Sequence, residues 1–218
     1  MPRPPSPETR RALIETAAEL LSRREPVTLR SLASAAGVST MAVYTYFDGM
    51  GGLWRAVRQE GFERLRRELA LLRTSRDPVR DLAILGVTYQ RSALARPALY
   101  RVMFDSTFEL LDPAGAEEAF APLVAGVVAA REAGRFAPDT DADDVATRYW
   151  TVGHGLASLA VGGVMSVPDL QRHAIAMSIA MFVAAGDVED RARRSVNAAW
   201  RTVRLDHPAT AGPAAAGS

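Results

Sequence analysis

Hydroxyl and aromatic side chains are concentrated in the segment GVSTMAVYTYFDGMGGL, residues 37–53. The hydrogen-bonding groups are those of Thr40, Tyr44, Thr45 and Tyr46. The segment contains no His, Cys or Lys, so it does not resemble a catalytic site. Hydroxyl groups can instead reach base edges or phosphate oxygens of DNA, and the side chain of Met41 can contact a thymine methyl group. These residue types therefore predict recognition of DNA rather than catalysis.

The spacing of small and apolar residues around this segment predicts a helix-turn-helix. Ala33 is small enough for two helices to cross closely, Gly37 provides the turn, and Val43 packs the third helix against the first two. At about 100° per residue, Val43 and Phe47 lie on one side of the third helix, and Met41, Tyr44 and Thr45 lie on the other. We therefore expect an exposed recognition face; the alternative is a small packing helix with a solvated side.

The charge is distributed unevenly along the chain. Residues 1–76 contain 13 Arg and 8 acidic residues, whereas the remainder contains 13 Arg and 17 acidic residues, and there is no Lys. A basic N-terminal third suits a polyanion, although a solvated charged surface would show the same pattern. The N-caps at Thr28 and Ser39 expose helix N-termini that suit phosphate oxygens.

Apolar residues recur at helical spacing almost throughout, with Gly and Pro between the runs, which predicts an all-α fold. The predicted helices lie at about residues 7–24, 29–36, 40–47, 53–73, 78–95, 97–104, 116–133, 142–161, 168–185 and 188–205, with a turn at residues 48–52. The domain prediction is a disordered arm at residues 1–7, a DNA-binding domain at 8–52, a ligand-binding and dimerisation domain at 53–205, and a disordered tail at 206–218.

Residues from about Thr9 to Val57 resemble the TetR family of transcriptional regulators. The resemblance is carried by LIETAAELL, by VTLRSLASAAGVS, and by Val43, Tyr44 and Phe47 before the turn into Leu53. It implies that the third helix is the recognition helix, ahead of an all-helical body that dimerises and holds a ligand pocket. The position of Tyr46 is commonly a phosphate-binding His in the family, and that of Met50 is usually a Lys.

Here GMGG replaces the family's charged helix start, and backbone N–H groups at Gly51 and Gly52 are expected to approach the phosphate instead. The complete set of predicted DNA-binding residues is Thr28, Arg30, Ser39, Thr40, Met41, Ala42, Tyr44, Thr45, Tyr46, Met50, Gly51 and Gly52.

The C-terminal segments RPALYRVMF and YWTVGHGLASL resemble a subgroup of the family that has a Trp followed by His-Gly on its eighth helix. Trp150 and His154 are four residues apart and therefore share a helix face. The candidate ligand-binding residues are Tyr89, Tyr100, Met103, Phe104, Phe108, Trp150 and His154. The alternative for the last two is a core Trp and a hydrogen-bonded core His. The last two apolar helices before residue 186 predict a four-helix dimer interface, or else an intramolecular core.

The sequence therefore predicts a DNA-binding regulator, a repressor released by a small apolar or amphipathic effector and bound as a homodimer to a palindromic operator. Neither an enzyme nor a metal or cofactor site is expected, because there is no Cys, GxSxG, Walker loop or HExxH motif. No apolar run typical of a signal peptide or membrane span occurs, so a cytoplasmic location is expected. The open alternatives are an all-helical enzyme and a protein-interaction module that uses the C-terminal pocket.

Overall fold

The computed structural model describes residues 6–202 and residue 205, and the regular structure of this part is entirely α-helical. The all-α prediction is confirmed. The helices are α1 (Pro7–Ser22), α2 (Leu29–Ala36), α3 (Thr40–Phe47), α4 (Met50–Ala70), α5 (Pro78–Ala95), α6 (Pro97–Met103), α7 (Ala114–Glu132), α8 (Ala142–Val161), α9 (Val167–Ala184) and α10 (Glu189–Thr202). Among these helices, none is long and apolar enough to cross a membrane.

The start of α1 corrects the predicted N-terminal arm. Ser6 is the N-cap, its side-chain oxygen accepts a hydrogen bond from the Thr9 N–H group, and Pro7 is the first helical residue. Proline fixes φ at a helical value and lacks only an N–H group that would be unpaired there. A disordered arm over residues 1–7 is therefore wrong at its last two positions. Residues 1–5 and the predicted tail at 206–218 lie outside the described residues.

The start of α4 corrects the predicted turn at residues 48–52. The chain reverses within two residues, because Asp48 and Gly49 both adopt positive φ, 54° and 94°. The helix then begins at Met50, three residues earlier than predicted. The predicted domain boundary between residues 52 and 53 consequently falls inside one continuous helix.

The chain forms two compact units. The first unit contains the described residues up to Leu72 together with Arg96–Pro122, so α4 and α6 belong with the helix-turn-helix rather than with the C-terminal body. Its core lies between α1, α2, α3, α4 and α6. Side chains of this core include Leu13, Leu32, Val43, Leu53 and Leu99.

The second unit contains Arg73–Ala95 and the described residues from Leu123 onward. Within it, α5 packs against α8 and α10, and α9 packs against α8 and α10. Phe182 is fully buried and its ring lies 5.2 Å from that of Tyr149, measured between centroids. Burial raises the pKa of Tyr149 to about 12. Its hydroxyl lies against Gly86, where an added Cβ would be only 2.2 Å from the oxygen.

A buried ion-pair network joins the loops of the second unit. The Arg135 guanidinium donates to both carboxylate oxygens of Asp187, at 2.9 and 2.6 Å, and to Asp77 at 2.7 Å. Arg135 is 6% exposed and the Asp187 side chain 1%. Burial opposes ionisation of Asp77, but hydrogen bonds from the Ser195 hydroxyl and the Arg80 N–H group, with the charge of Arg135, outweigh it and lower its pKa.

Candidate nucleic-acid interface and ring cluster

The turn between α2 and α3 is built from local hydrogen bonds. Thr28 and Ser31 form a capping box, since each side-chain oxygen accepts from the other residue's backbone N–H group. Gly37 ends α2 with φ of 66°, and the Val38 N–H group then donates to the Ala33 carbonyl at 2.9 Å. Such a left-handed residue is inexpensive for glycine and costly for residues with a Cβ. Ser39 begins α3 without a side-chain capping bond.

The two sides of α3 differ in exposure as the spacing predicts. Val43 and Phe47 are buried in the core of the first unit. On the opposite side Met41 is 68% exposed and Tyr44 50% exposed. The neighbouring Thr40 and Thr45 are exposed and Ala42 is half-buried. A methionine and a tyrosine held outward on a short helix form a surface suited to base edges and thymine methyl groups.

Tyr46 has a contact that the sequence did not predict. Its hydroxyl oxygen accepts a hydrogen bond of 2.8 Å from the backbone N–H group of Ser6, at the start of α1. The Arg10 guanidinium lies 5.3 Å from the centroid of the Phe47 ring on the same end of α3. Tyr46 thus connects α3 to α1, whereas the sequence suggested only a phosphate contact. Nothing local signals this pairing, because Ser6 and Tyr46 are 40 positions apart.

Three residues at the start of α4 were predicted to bind DNA, Gly51 and Gly52 through backbone contacts to phosphate, and their exposure in the structure differs. Gly51 is exposed, Met50 is half-buried and Gly52 is buried. A Cβ added to Gly52 would lie 1.7 Å from the Phe47 carbonyl oxygen, whereas a Cβ added to Gly51 would meet nothing within 4 Å. The N-cap, Gly49, makes no side-chain capping bond, as it has no side chain. The first N–H groups of any α-helix lack an intrahelical partner and suit an anion.

Uncompensated positive charge lies on the same unit. Arg30 is exposed on α2 and Arg10 is exposed on α1. Within residues 6–202, no carboxylate lies within 4.0 Å of either guanidinium. Both cations are therefore available to phosphate oxygens, with which Arg forms bidentate hydrogen bonds.

Three of the candidate ligand-binding residues come together in the second unit. The Tyr89 hydroxyl and His154 Nδ1 are 3.0 Å apart, and the rings of His154 and Trp150 are 5.5 Å apart between centroids. His154 Nε2 lies 3.5 Å from the Ser158 hydroxyl. Burial lowers the pKa of His154, which favours the neutral imidazole. We call Tyr89, Trp150 and His154 the ring cluster.

The other four candidates lie in the first unit. The rings of Tyr100 and Phe104 are tilted by 56° with centroids 5.0 Å apart, and the centroids of the Phe108 and Trp54 rings are 6.1 Å apart. Met103 packs against Gly61, where a Cβ would be 2.3 Å from its side chain. These aromatic contacts form a second apolar group, built on α4 and α6.

Gln90 is a buried polar residue that the sequence reasoning missed. It follows Tyr89 on α5, is 2% exposed, and its Nε2 donates to the Gly153 carbonyl on α8 at 2.8 Å. A glutamine within a helical pattern usually indicates a solvated side, so the sequence contains no signal for this contact.

The acidic segment DTDADD acts as a helix start, as its pattern suggests. Asp141 caps α8 by accepting from the Asp144 N–H group at 3.1 Å. Beside it lies a cavity of about 280 Å³ whose lining includes Asp139, Arg148 and Met181. In the part of the chain that the structure describes, no group of three His, Asp or Glu side chains could hold a metal ion.

Two family models match the chain. The one described as bacterial regulatory proteins, tetR family, matches residues 13–57, and the one described as tetracyclin repressor-like, C-terminal domain, matches residues 82–182. Together they cover about two thirds of the sequence. We find no match among curated proteins.

Solved structures share the fold over nearly the whole chain. A protein of unknown function from Rhodococcus sp. RHA1 is 26% identical with a TM-score of 0.70, over 86% of this chain and 100% of that one. RolR in complex with resorcinol is 21% identical with a TM-score of 0.63, over 91% and 97%. The TetR family protein CprB from S. coelicolor A3(2) is 24% identical with a TM-score of 0.61, over 89% and 97%.

Proposed function

Because the chain belongs to the TetR family of bacterial regulatory proteins, we propose that it is a cytoplasmic, ligand-responsive repressor that binds a palindromic operator as a homodimer. The observation that carries this proposal is the exposed side of α3, where Met41 and Tyr44 point away from a buried Val43 and Phe47. Residues of this kind on a recognition helix contact base edges in the major groove.

Phosphate contacts would hold α3 in the groove. Arg30 and Arg10 supply positive charge without a nearby carboxylate, and Gly51 exposes the backbone at the start of α4. Thr28 is exposed at the start of α2 and can contact a further phosphate. Each neutralised phosphate releases counterions, so the affinity for DNA should fall steeply with salt concentration.

The homodimer is supported by apolar side chains left exposed on α8 and α9. Leu159, Met177 and Val183 are exposed large hydrophobic residues, and Ala176 and Ala180 are exposed between them. A two-fold axis through this surface would pair like patches and form a four-helix interface. Two recognition helices related in this way read half-sites about one turn of DNA apart, roughly 34 Å, or somewhat further.

Release by a small apolar or amphipathic effector is supported by the two aromatic groups. RolR, which has the same fold, was solved in complex with resorcinol. In this chain the ring cluster offers apolar surface with a few polar atoms, which is the usual composition of a ligand site. The effector must bind the DNA-free arrangement more tightly than the DNA-bound one to shift the population.

Selection of bound genomic DNA fragments at physiological salt tests the proposal, followed by a search for a shared palindrome. We expect Tyr44→Ala to lower the affinity for the selected operator about 5- to 150-fold, since a base contact contributes about 1–3 kcal/mol. Leu71→Ala is the matched control, because Leu71 is 83% exposed in the same unit but lies at the end of α4. Unchanged affinity in Tyr44→Ala would exclude α3 as the recognition helix. Selection that recovers no DNA, together with protein partners that stay bound after nuclease treatment, would favour an interaction module.

A further inference from the structure

Helix α4 carries five arginines, and four of them have partners. The Arg58 guanidinium donates to the carbonyl oxygens of Met103 and Phe108. Three later arginines form ion pairs with glutamates, at 2.6–3.8 Å between nitrogen and oxygen, namely Arg64, Arg66 and Arg67. Arg55 is half-buried and has no hydrogen bond or ion pair among the described residues. On this helix, Arg55 is therefore the cation available to an external anion.

Charge is unevenly distributed along α4, and the positive excess lies at its start. Residues 50–59 contain two Arg and no acidic residue, whereas residues 60–70 contain three Arg and three Glu. The excess is thus at the end of the helix that meets α3, where Gly52 approaches the Phe47 carbonyl. Positive charge beside a recognition helix attracts the phosphates that flank the bases being read.

Helix geometry directs the Arg55 side chain toward this start. Arg55 follows Gly51 by one turn, about 6 Å, so the two residues share a face of α4. A helical side chain covers the turn that precedes its own Cα. Gly51 lies in that turn, is exposed, and would place an added Cβ with nothing within 4 Å. Arg55 therefore extends toward a surface that no side chain of residue 51 occupies.

The same end of α4 adjoins the exposed side of α3. A Cβ added to Gly49, the N-cap of α4, would lie 3.5 Å from the ring of Tyr44, and Tyr44 is 50% exposed. Gly49 is two residues before Gly51, so the Tyr44 ring lies close to the face that Gly51 and Arg55 share. A base contacted by Tyr44 would bring the neighbouring sugar-phosphate backbone to this face.

We propose that the Arg55 guanidinium binds a phosphate of the operator backbone beside the base that Tyr44 contacts. This inference rests on the proposed regulator function and adds a phosphate-binding residue to it. Guanidinium remains charged at working pH and donates two parallel hydrogen bonds to a phosphate. Because the Arg55 side chain is already half-buried, it loses less conformational freedom on binding than a fully exposed arginine would.

The salt dependence of DNA binding by the full chain tests the inference. The probe is a duplex that carries the selected operator, and its affinity is measured by fluorescence anisotropy from about 50 to 200 mM salt. Each phosphate contact contributes about 0.9 to the slope of log affinity against log salt concentration, so Arg55→Gln should flatten the slope by about 1.8 for a homodimer. At about 0.1 M salt, one decade below 1 M, this corresponds to a loss of about 60-fold. A structural defect that removes no phosphate contact would lower the affinity equally at every salt concentration.

Arg66→Gln is the matched control, because it removes the same charge from the same face of α4, about three turns further along. Arg66 is paired with Glu63 and Glu118, so its replacement should leave the slope unchanged. Arg55→Lys keeps the charge and should restore most of the slope. Arg55→Ala removes the charge independently should Arg55→Gln not fold.

Two results would overturn the inference: an unchanged slope in both variants that remove the Arg55 charge, or an equal flattening in Arg66→Gln. Either result, with the unmodified protein still binding the operator, would refute the Arg55 contact alone. Failure of the unmodified protein to retain any DNA would instead refute the proposed regulator.

Discussion

Gly52 lies where the start of α4 meets the end of α3, and its replacement by alanine tests the junction between these helices. The new Cβ would be 1.7 Å from the Phe47 carbonyl oxygen and 2.7 Å from the carbonyl carbon, whereas ordinary contacts begin near 3.4 Å. These atoms belong to the backbone and cannot rotate away. The two helices would therefore have to separate by more than an ångström at a buried position.

The magnitude follows from this geometry. Overpacking costs typically about 1–3 kcal/mol, and an immovable backbone neighbour places Gly52→Ala at the upper end. The gain in helix propensity from Gly to Ala offsets up to about 1 kcal/mol. We therefore expect a net loss of about 2 kcal/mol, which corresponds to a decrease in Tm of roughly 4–8 °C for a chain of this size.

Gly51→Ala is the matched control, since its Cβ enters open space. We expect its Tm to equal or exceed that of the unmodified protein, with a gain of at most about 1 kcal/mol. The Tm of both variants is measured by thermal unfolding followed by far-ultraviolet circular dichroism. A Gly52→Ala protein as stable as Gly51→Ala would refute the close approach between Gly52 and Phe47.

Three further changes test the second unit. Arg135→Met should lower the free energy of unfolding by about 3–5 kcal/mol in denaturant titrations, because Asp187 would stay buried without its partner. Asp77 has a lowered pKa, so its contribution is present above the ordinary value of 3.8 and is lost as the pH falls through the folded value. Asp77→Asn should accordingly flatten the acid limb of a plot of stability against pH. Gly186→Ala should lower Tm strongly, because φ is 110° and the added Cβ would lie 2.6 Å from the Ala137 nitrogen.

The helices and the exposed side of α3 were predictable because local patterns determine them. Ser6, Thr28 and Asp141 each place a side-chain oxygen near the first free N–H groups of a helix, and each caps its helix in the structure. Ser39, at the start of α3, makes no such side-chain capping bond. The burial of Val43 and Phe47 follows from helical periodicity alone. Features that depend on a few neighbouring residues are therefore visible in the sequence.

Contacts between distant segments were not predictable by the same means. Tyr46 accepts from Ser6 across 40 positions, and Gln90 donates to Gly153 across 63. Neither residue differs by type from an ordinary surface tyrosine or glutamine, because the partner is set by how the helices pack. The division into units escaped prediction for a related reason, since α6 joins the first unit through packing on α1 and α4.

The three glycines around the start of α4 show how structure can separate requirements that look alike in the sequence. Gly49 has φ of 94°, which a side chain makes costly, and Gly52 leaves no room for a Cβ beside Phe47. Gly51 has neither restriction, because its φ is helical and its surroundings are open. Gly51 therefore weakens the first turn of α4, because glycine has a low helix propensity, and it brings no packing benefit in return. If close approach to a phosphate is what glycine provides at this junction, Gly51→Ala should weaken operator binding while it leaves folding intact or improves it.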